Sequence, residues 1–409
     1  MQVFEKDPSA AATSERDLSR PTMVTTLAVL AGYMAPAMIY DALPPILPRI
    51  AEHFGGGSAG EWVAQMSVGL AILGTGFGGL VAGLSVARLG LRTTLMVGWL
   101  IFAALGSLGF IIDDARLLLA SRFATGLGAG MLLGACTVAI GMSYDARARP
   151  RMTGFGLATA AGSAVIFLSV AAIAAQVSWR APFAVHALLA LVTVPLVVFA
   201  RFPPVRPQVS FSLGELAVAA RRLAPAYALI LVLVLVGNLF IVQTTFLLNS
   251  RGFSDPDLIA RILVISPIII GIANVSFGAL EARIGLHNSI ALALGCFAVG
   301  ATCFGASTTL PMTALGVGVG SLGVGIGVPA AFVSAMNGCD EKIAPHGIGL
   351  ATALNCFAGF LAPMIYVPLY HLVGYDATYL GVGVLMVVSA VLYQVGARAR
   401  PAAAVGGAE

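Results

Sequence analysis

The chain has 409 residues, of which 59% are hydrophobic and only 10% charged, with a mean hydropathy of +0.96 and a formal net charge of +4. A soluble globular domain carries about a quarter charged residues, so this composition excludes water as the main solvent for the protein surface. The 48 glycines lie inside apolar runs with no triplet period, which excludes a collagen-like chain, and the positive charge is spread over helix ends, which argues against a nucleic-acid surface.

Residues 1–22 are polar and mixed in charge and read as a cytoplasmic tail, since the apolar stretch that follows is too long for a signal peptide. Twelve stretches are then long and apolar enough to cross a ~30 Å hydrocarbon core, which takes about 20 helical residues. They are residues 23–47, 61–85, 93–112, 116–142, 152–177, 181–200, 224–248, 258–280, 288–306, 311–336, 345–370 and 376–396. With the N-terminus cytoplasmic, the inner segments hold 16 Lys and Arg and the outer ones 5, so the positive-inside rule predicts both termini on the cytoplasmic side. Residues 201–223 contain three prolines and an amphipathic stretch ending in Arg221 and Arg222. They read as a linker carrying a short helix on the membrane surface, between a bundle at 23–200 and a bundle at 224–397. Residues 398–409 form a second tail.

An internal repeat supports two related halves. Gly83 to Arg92 (GLSVARLGLR) and Gly278 to His287 (GALEARIGLH) are identical at five of ten positions, 195 residues apart and at the same topological place. Such repeats are expected of transporters that rock one half against the other.

Gly83, Arg88, Gly90 and Arg92 resemble the signature loop of the major facilitator superfamily, Gly-x-x-x-Asp-Arg-x-Gly-x-Arg, except that Ala87 replaces the acid. Arg122 with Gly126, Gly128 and Gly130, and Trp179-Arg180 with Phe183, are similar to two further family patterns. The resemblance covers residues 23–397 and implies an all-α integral membrane fold of twelve helices in two pseudo-symmetric six-helix bundles. It further implies a conformational latch at Gly83, Arg88, Gly90 and Arg92, repeated at Gly278, Arg283 and Gly285. With Ala87 in place, Asp145 is the nearest acid for Arg88 or Arg92; the alternative is that these arginines only anchor topology. Within the family the chain is placed nearest the drug:proton antiporters, although their helix-5 Gly-Pro pattern is degraded to Gly154, Gly156 and Gly162 without a proline.

Asp41 is the only acid clearly inside the first six spans, and Arg122 reaches a comparable depth on span 4. Ionised groups are costly in lipid, so both are expected to face a cavity or each other. A carboxylate beside an arginine holds its charge, and loss of that partner favours the proton, which makes the pair a candidate for proton coupling. The alternative is an interfacial Asp41 bonded to Arg49. Met34, Met38 and Asp41 share one helix face. Tyr33, Asn238, Phe240, Gln243, Phe246, Asn274, Phe332, Asn355 and Phe357 complete the candidate substrate cavity, with interhelical hydrogen bonding as the plainer role for each amide. The glycines of span 10 before Pro329 suit either a bending gate or close packing.

The function these features predict is proton-coupled export of small amphipathic compounds by alternating access, hence an efflux antiporter. The alternative is an uptake symporter or facilitator for a small metabolite such as an organic acid. A membrane sensor or enzyme fits poorly: the chain has no HExxH, GxSxG or P-loop, and His53, His186, His287, His346 and His371 read as scattered over loops and ends. Cys136, Cys296, Cys303, Cys339 and Cys356 lack metal-ligand spacing and are odd in number. No cofactor or metal is expected, the energy source being the proton gradient. The expected partners are a small-molecule substrate, protons and membrane lipid but no nucleic acid, for a monomer in a bacterial inner (plasma) membrane.

Overall fold

The computed structural model describes residues 21–145, 148–203, 213–306, 308–339 and 343–398. The predicted tails, apart from Pro21, Thr22 and Arg398, and most of the proline-rich part of the linker lie outside the described residues.

Each helix starts where its sequence provides a stop. The first, α1 (Met23–His53), begins at Thr22, whose hydroxyl accepts from the Thr25 amide. After α2 (Gly57–Leu89) and α3 (Leu91–Phe110), α4 (Ala115–Ser143) begins at Asp114, which caps the Leu117 amide at 2.9 Å. α5 (Ala148–Val177) and α6 (Ala181–Phe199) complete the first half. A ten-residue helix, Leu213–Arg222, precedes α7 (Ala224–Ser250). Prolines at the first turn open α6, α7 and α10, where the missing N–H costs nothing.

The helical run Pro256–Ala306 contains two crossings, because Gly285 reverses the chain with φ 80° and ψ 159°. Its arms are α8, residues 256–284, and α9, residues 286–306. α10 (Leu310–Asn337), α11 (Ala344–Val373) and α12 (Tyr375–Arg398) follow. Among the described residues eleven continuous segments are long and apolar enough to cross a membrane, and the reversal at Gly285 makes them twelve crossings. The protein is a multi-pass, all-α membrane protein.

Two apolar cores sit side by side. The first gathers Trp99, Phe102, Leu132 and Phe183; the second gathers Phe240, Phe297, Phe304 and Tyr379. In the first, α2 and α4 interlock through small residues: a Cβ on Gly74 or Gly78 would collide with the carbonyl of Phe123 or Leu127, and one on Gly126 or Gly130 with that of Ala71 or Thr75. In the second, α10 runs unbroken through Pro329, and its glycines press on rings: Gly316 on Phe304, Gly320 on Phe240, Gly323 on Phe297. In this state the glycine row of α10 is a packing face.

The halves meet along α2 and α11, with Gly69 against Pro363, Ile72 against Gly359 and Gly76 against Cys356, and along α5 and α8, with Ala161 against Gly271. Toward the outer side the ends of α1 and α7 join this seam, where Phe246 and Val242 enter the first core and Leu168 packs with Leu248, Ile259 and Leu263. These contacts occupy the outer half and the middle of the helices. Just cytoplasmic of them, Leu73, Gly76, Phe77, Leu80, Ala353, Leu354 and Phe357 line an apolar groove of about 220 Å³ between α2 and α11. The arrangement is closed on the outer side.

Candidate functional site

Both helices that head a bundle are interrupted at the level of the seam. α1 breaks at Tyr33 and again after Asp41, where Pro44 and Pro45 cannot continue an α-helix and a short 3₁₀ turn, Pro44–Ile46, takes over. α7 instead widens into a π-turn over Leu239–Gln243, and the Thr244 hydroxyl donates to the Leu239 carbonyl at 3.1 Å. Such π-turns are frequently found at functional positions. The interruptions fall beside Asp41 in α1 and at Asn238 and Gln243 in α7.

Counted at 1.5 Å per residue, Gln65, Arg122, His186 and Gln243 all lie about 8–12 Å below the outer ends of their helices. They form a polar layer in an apolar molecule. The Gln243 amide donates to the Gln65 carbonyl oxygen at 2.7 Å, across the seam between the halves, and both side chains are fully buried. Each glutamine is left with one unsatisfied buried atom, the Gln65 Nε2 and the Gln243 Oε1; the Asn238 Oδ1 and the Thr245 hydroxyl are likewise without a partner. At the outer rim of the same seam His371 contacts Glu61 at 3.1 Å.

Arg122 is fully buried inside the first bundle. Its Nε donates to the Ser67 carbonyl at 3.3 Å, its Nη1 lies 3.3 Å from His186 Nε2, its guanidinium stands 5.7 Å from the centre of the Phe183 ring, and its Nη2 has no partner. No ion pair joins it to Asp41 among the described residues. Asp41 is half-buried at the end of its helical segment. Arg49 bonds the Ala175 carbonyl at 2.6 Å, so it is not held by Asp41.

The remaining predicted residues separate into groups. Met38, Phe240 and Phe246 are buried in packing, with Phe240 stacked on Phe297 at 5.7 Å, while Tyr33 lies against Gly156. Met34, Phe332 and Asn355 are partly exposed; Asn274 and Phe357 are exposed, and Phe357 borders the α2–α11 groove. Of the latch residues, Arg92 donates to the Ala200 carbonyl at 2.5 Å and Asp145 accepts from the Ala148 amide at 2.8 Å. Arg88 and Arg283 point to the exterior, and a Cβ on Gly83 or Gly278 would meet nothing within 4 Å. Gly90 (φ 81°) and Gly285 (φ 80°) both hold the left-handed backbone that their repeated motif requires.

On the outer surface each half is tied by one arginine. Arg180 of the Trp179-Arg180 motif contacts Asp113, donates to the Ile112 carbonyl at 3.1 Å and stacks on Trp179, which itself lies against His53. The Arg180 guanidinium, with His53 beside it, holds the Asp113 carboxyl below its ordinary pKa. In the second half Arg251 pairs with Asp376 at 2.8 Å, donates to the Thr313 hydroxyl at 3.1 Å and contacts the Phe304 carbonyl.

Reading the sequence missed Gln65 and misplaced His186, which lies within α6, fully buried, and not at a loop or helix end. The signal was present for His186, a single polar side chain in an apolar run that has to find a partner.

Comparisons with known proteins agree with this architecture. Half of the chain (202 residues, 49%) is 28% identical to the arabinose-proton symporter of Escherichia coli, and the match spans 42% of that protein's length. The fold superposes on the nucleoside transporter NupG with a TM-score of 0.74 at 13% identity, covering 91% of this chain and 99% of that one. It superposes on a D-xylose-proton symporter with a TM-score of 0.72 at 17% identity, covering 91% and 96%. These relatives are symporters and a nucleoside transporter, so the placement beside the drug:proton antiporters, and with it the efflux direction, is corrected. The missing proline of α5 was the sequence's own sign against that branch. A family model described as Major Facilitator Superfamily matches residues 29–363, and the chain belongs to that family of membrane transporters.

Proposed function

We propose that the protein takes up a small, polar, uncharged metabolite of the sugar or nucleoside kind together with protons, by alternating access between the two halves. The observation that carries this reading is the Gln65–Gln243 pair, which leaves a donor and an acceptor unsatisfied at a seam between moving bodies, beside the free oxygen of Asn238. A hydroxyl both donates and accepts, so a hydroxylated solute satisfies such a pair, and an apolar one leaves it unpaired at a cost of about 1–3 kcal/mol per group. The names of the matched relatives, an arabinose-proton symporter and a nucleoside transporter, support the same class. Arg122 is sealed inside the first bundle, which disfavours the organic-acid substrate.

In this reading Asp41 carries the proton and Arg122 is its intermittent counter-charge. Asn238, Gln243 and Asn355 meet the substrate, with Tyr33, Met34, Asn274, Phe332 and Phe357 along its path. The halves at 23–200 and 224–397 rock about the linker 201–223, and Gly83, Arg88, Gly90, Arg92 and Asp145, with Gly278, Arg283 and Gly285, re-engage as the cytoplasmic latch in the other state.

The test is uptake into proteoliposomes holding a trapped pH dye, with pentoses, hexoses and nucleosides added outside. Symport acidifies the lumen as substrate enters, and Asp41→Asn abolishes the acidification. Alkalinisation of the lumen, or substrate entry with no proton movement in the wild type, overturns the reading.

A further inference from the structure

The outer face of the second half carries a cavity of about 420 Å³, lined by Ser250, Arg251, Thr308, Tyr375 and Asp376. Three outer connections supply these residues: the end of α7, the link from α9 to α10, and the start of α12. The volume lies in the range of small-molecule pockets. Every lining residue carries a hydrogen-bonding group, which is more than a tie between helix ends needs. Arg251 is only 7% exposed; its Nη atoms contact Asp376, the Thr313 hydroxyl and the Phe304 carbonyl, while its Nε has no partner. Asp376 is 55% exposed and gives one oxygen to Arg251, so its second oxygen is left to accept. The Ser250 hydroxyl donates to the Leu247 carbonyl at 2.8 Å and keeps its lone pairs. The hydroxyls of Thr308 and Tyr375 have no partner among the described residues.

The charges select the class of ligand. The cavity holds one cation and one anion already paired at 2.8 Å. An added anion meets the Asp376 carboxylate and an added cation meets the Arg251 guanidinium, each with a like-charge penalty. A neutral molecule with several hydroxyls suits both groups, because a hydroxyl donates to a carboxylate and accepts from a phenol or a guanidinium. Tyr375 adds an aromatic wall: it stacks on Tyr370 at 4.2 Å and packs against both apolar cores, so it borders the cavity and the outer seam at once. We infer that this cavity is an outer binding site for a neutral polyhydroxylated solute, separate from the glutamine seam and accessible while the outer side is closed. The inference shares its solute class with the proposed function but does not rest on Gln243.

The test counts binding sites for labelled L-arabinose and D-glucose by equilibrium binding to the full chain. It uses phosphatidylcholine nanodiscs, because glucoside and maltoside detergents would themselves compete. T308W fills the cavity from an exposed position and is expected to remove one site per chain. Glucosamine and gluconate, the cationic and anionic counterparts of glucose, are expected to compete for that site at least about tenfold more weakly than glucose, the scale of one charge-assisted hydrogen bond replaced by repulsion. If T308W does not fold, Y375F keeps the ring and its stacking but loses the hydroxyl, and is expected to weaken the outer site about three- to tenfold. An unchanged number of sites in T308W, an unchanged affinity in Y375F, equal competition by the charged sugars, or no saturable binding of either sugar overturns the inference. Q243A separates the two claims. If it abolishes the same site that T308W removes, there is no separate outer site; if binding is untouched in Q243A while T308W loses a site, the outer site stands and the glutamine seam is refuted as a place of binding.

Discussion

Gly285 repeats the backbone conformation of Gly90: φ 80° and ψ 159° at one, φ 81° and ψ 166° at the other, each at the cytoplasmic reversal inside its half. Five shared residues in ten thus correspond to one shared turn, and the halves are related in three dimensions as well as in sequence.

This conformation is open essentially to glycine alone, and a side chain there costs about 1–3 kcal/mol. Gly90→Ala and Gly285→Ala are each expected to lower stability by that amount. Because neither position has a neighbour within 4 Å of the added carbon, the loss is backbone strain and not a clash. Thermal unfolding in detergent checks this, and a loss confined to one of the two would contradict the equivalence of the turns.

Gln243 is expected to act on substrate affinity. Gln243→Ala removes one amide from the seam, an interaction worth roughly 0.6–2 kcal/mol between membrane helices, and should raise KM about three- to thirtyfold. Fold and orientation should be untouched, because Gln243 is already only half satisfied. Initial rates of uptake against concentration provide the measurement; an unchanged KM would remove Gln243 from the binding site.

Asp113 provides a pH dependence with a definite sign. Arg180 and then His53 hold its carboxyl below the usual range. A group whose pKa is lower folded than unfolded stabilises fully above the unfolded value, about 3.9, and loses that contribution as pH falls through the lower folded value. Melting temperatures followed from about pH 6 to about pH 3 should therefore fall less steeply for Asp113→Asn than for the wild type. The carboxylate is 74% exposed, so the difference is expected to be small and to shrink with added salt. Parallel curves would show that the ion pair contributes nothing to folding.

Much of the architecture was legible because hydrocarbon is an unforgiving solvent. Spans of about 20 apolar residues and the arginines that flank them leave little freedom in where the chain crosses. The turn at Gly90 was legible for a similar reason, since few sequences tolerate its backbone. The site was less so. Pro44 and Pro45 mark the break in α1 openly, but nothing in the run Leu239–Gln243 announces a π-turn, which arises from packing. Met38 shares a face with Asp41, which suits a cavity lining, yet it is fully buried, since a helix in a bundle buries more than one face. Asp41 and Arg122, expected at one depth, share neither depth nor contact: α1 runs on to His53, so at 1.5 Å per residue Asp41 lies about 18 Å below its outer end and Arg122 about 10 Å below that of α4. The direction of transport lies further still from sequence, because the same pair of groups serves either direction.

The two outer-surface arginines and the glutamine seam differ in kind, and that difference sets how the molecule spends free energy over a cycle. Arg180 and Arg251 bind helix ends within a half through several charge-assisted contacts each. Between the halves the named polar links are one amide pair and one rim contact of His371 with Glu61. The halves are therefore tied firmly within themselves and linked to each other by few polar bonds, in a seam that is otherwise apolar packing. Under the proposed function, a solute that completes hydrogen bonds at the glutamine pair shifts the balance between the two arrangements only by the difference in its affinity for them.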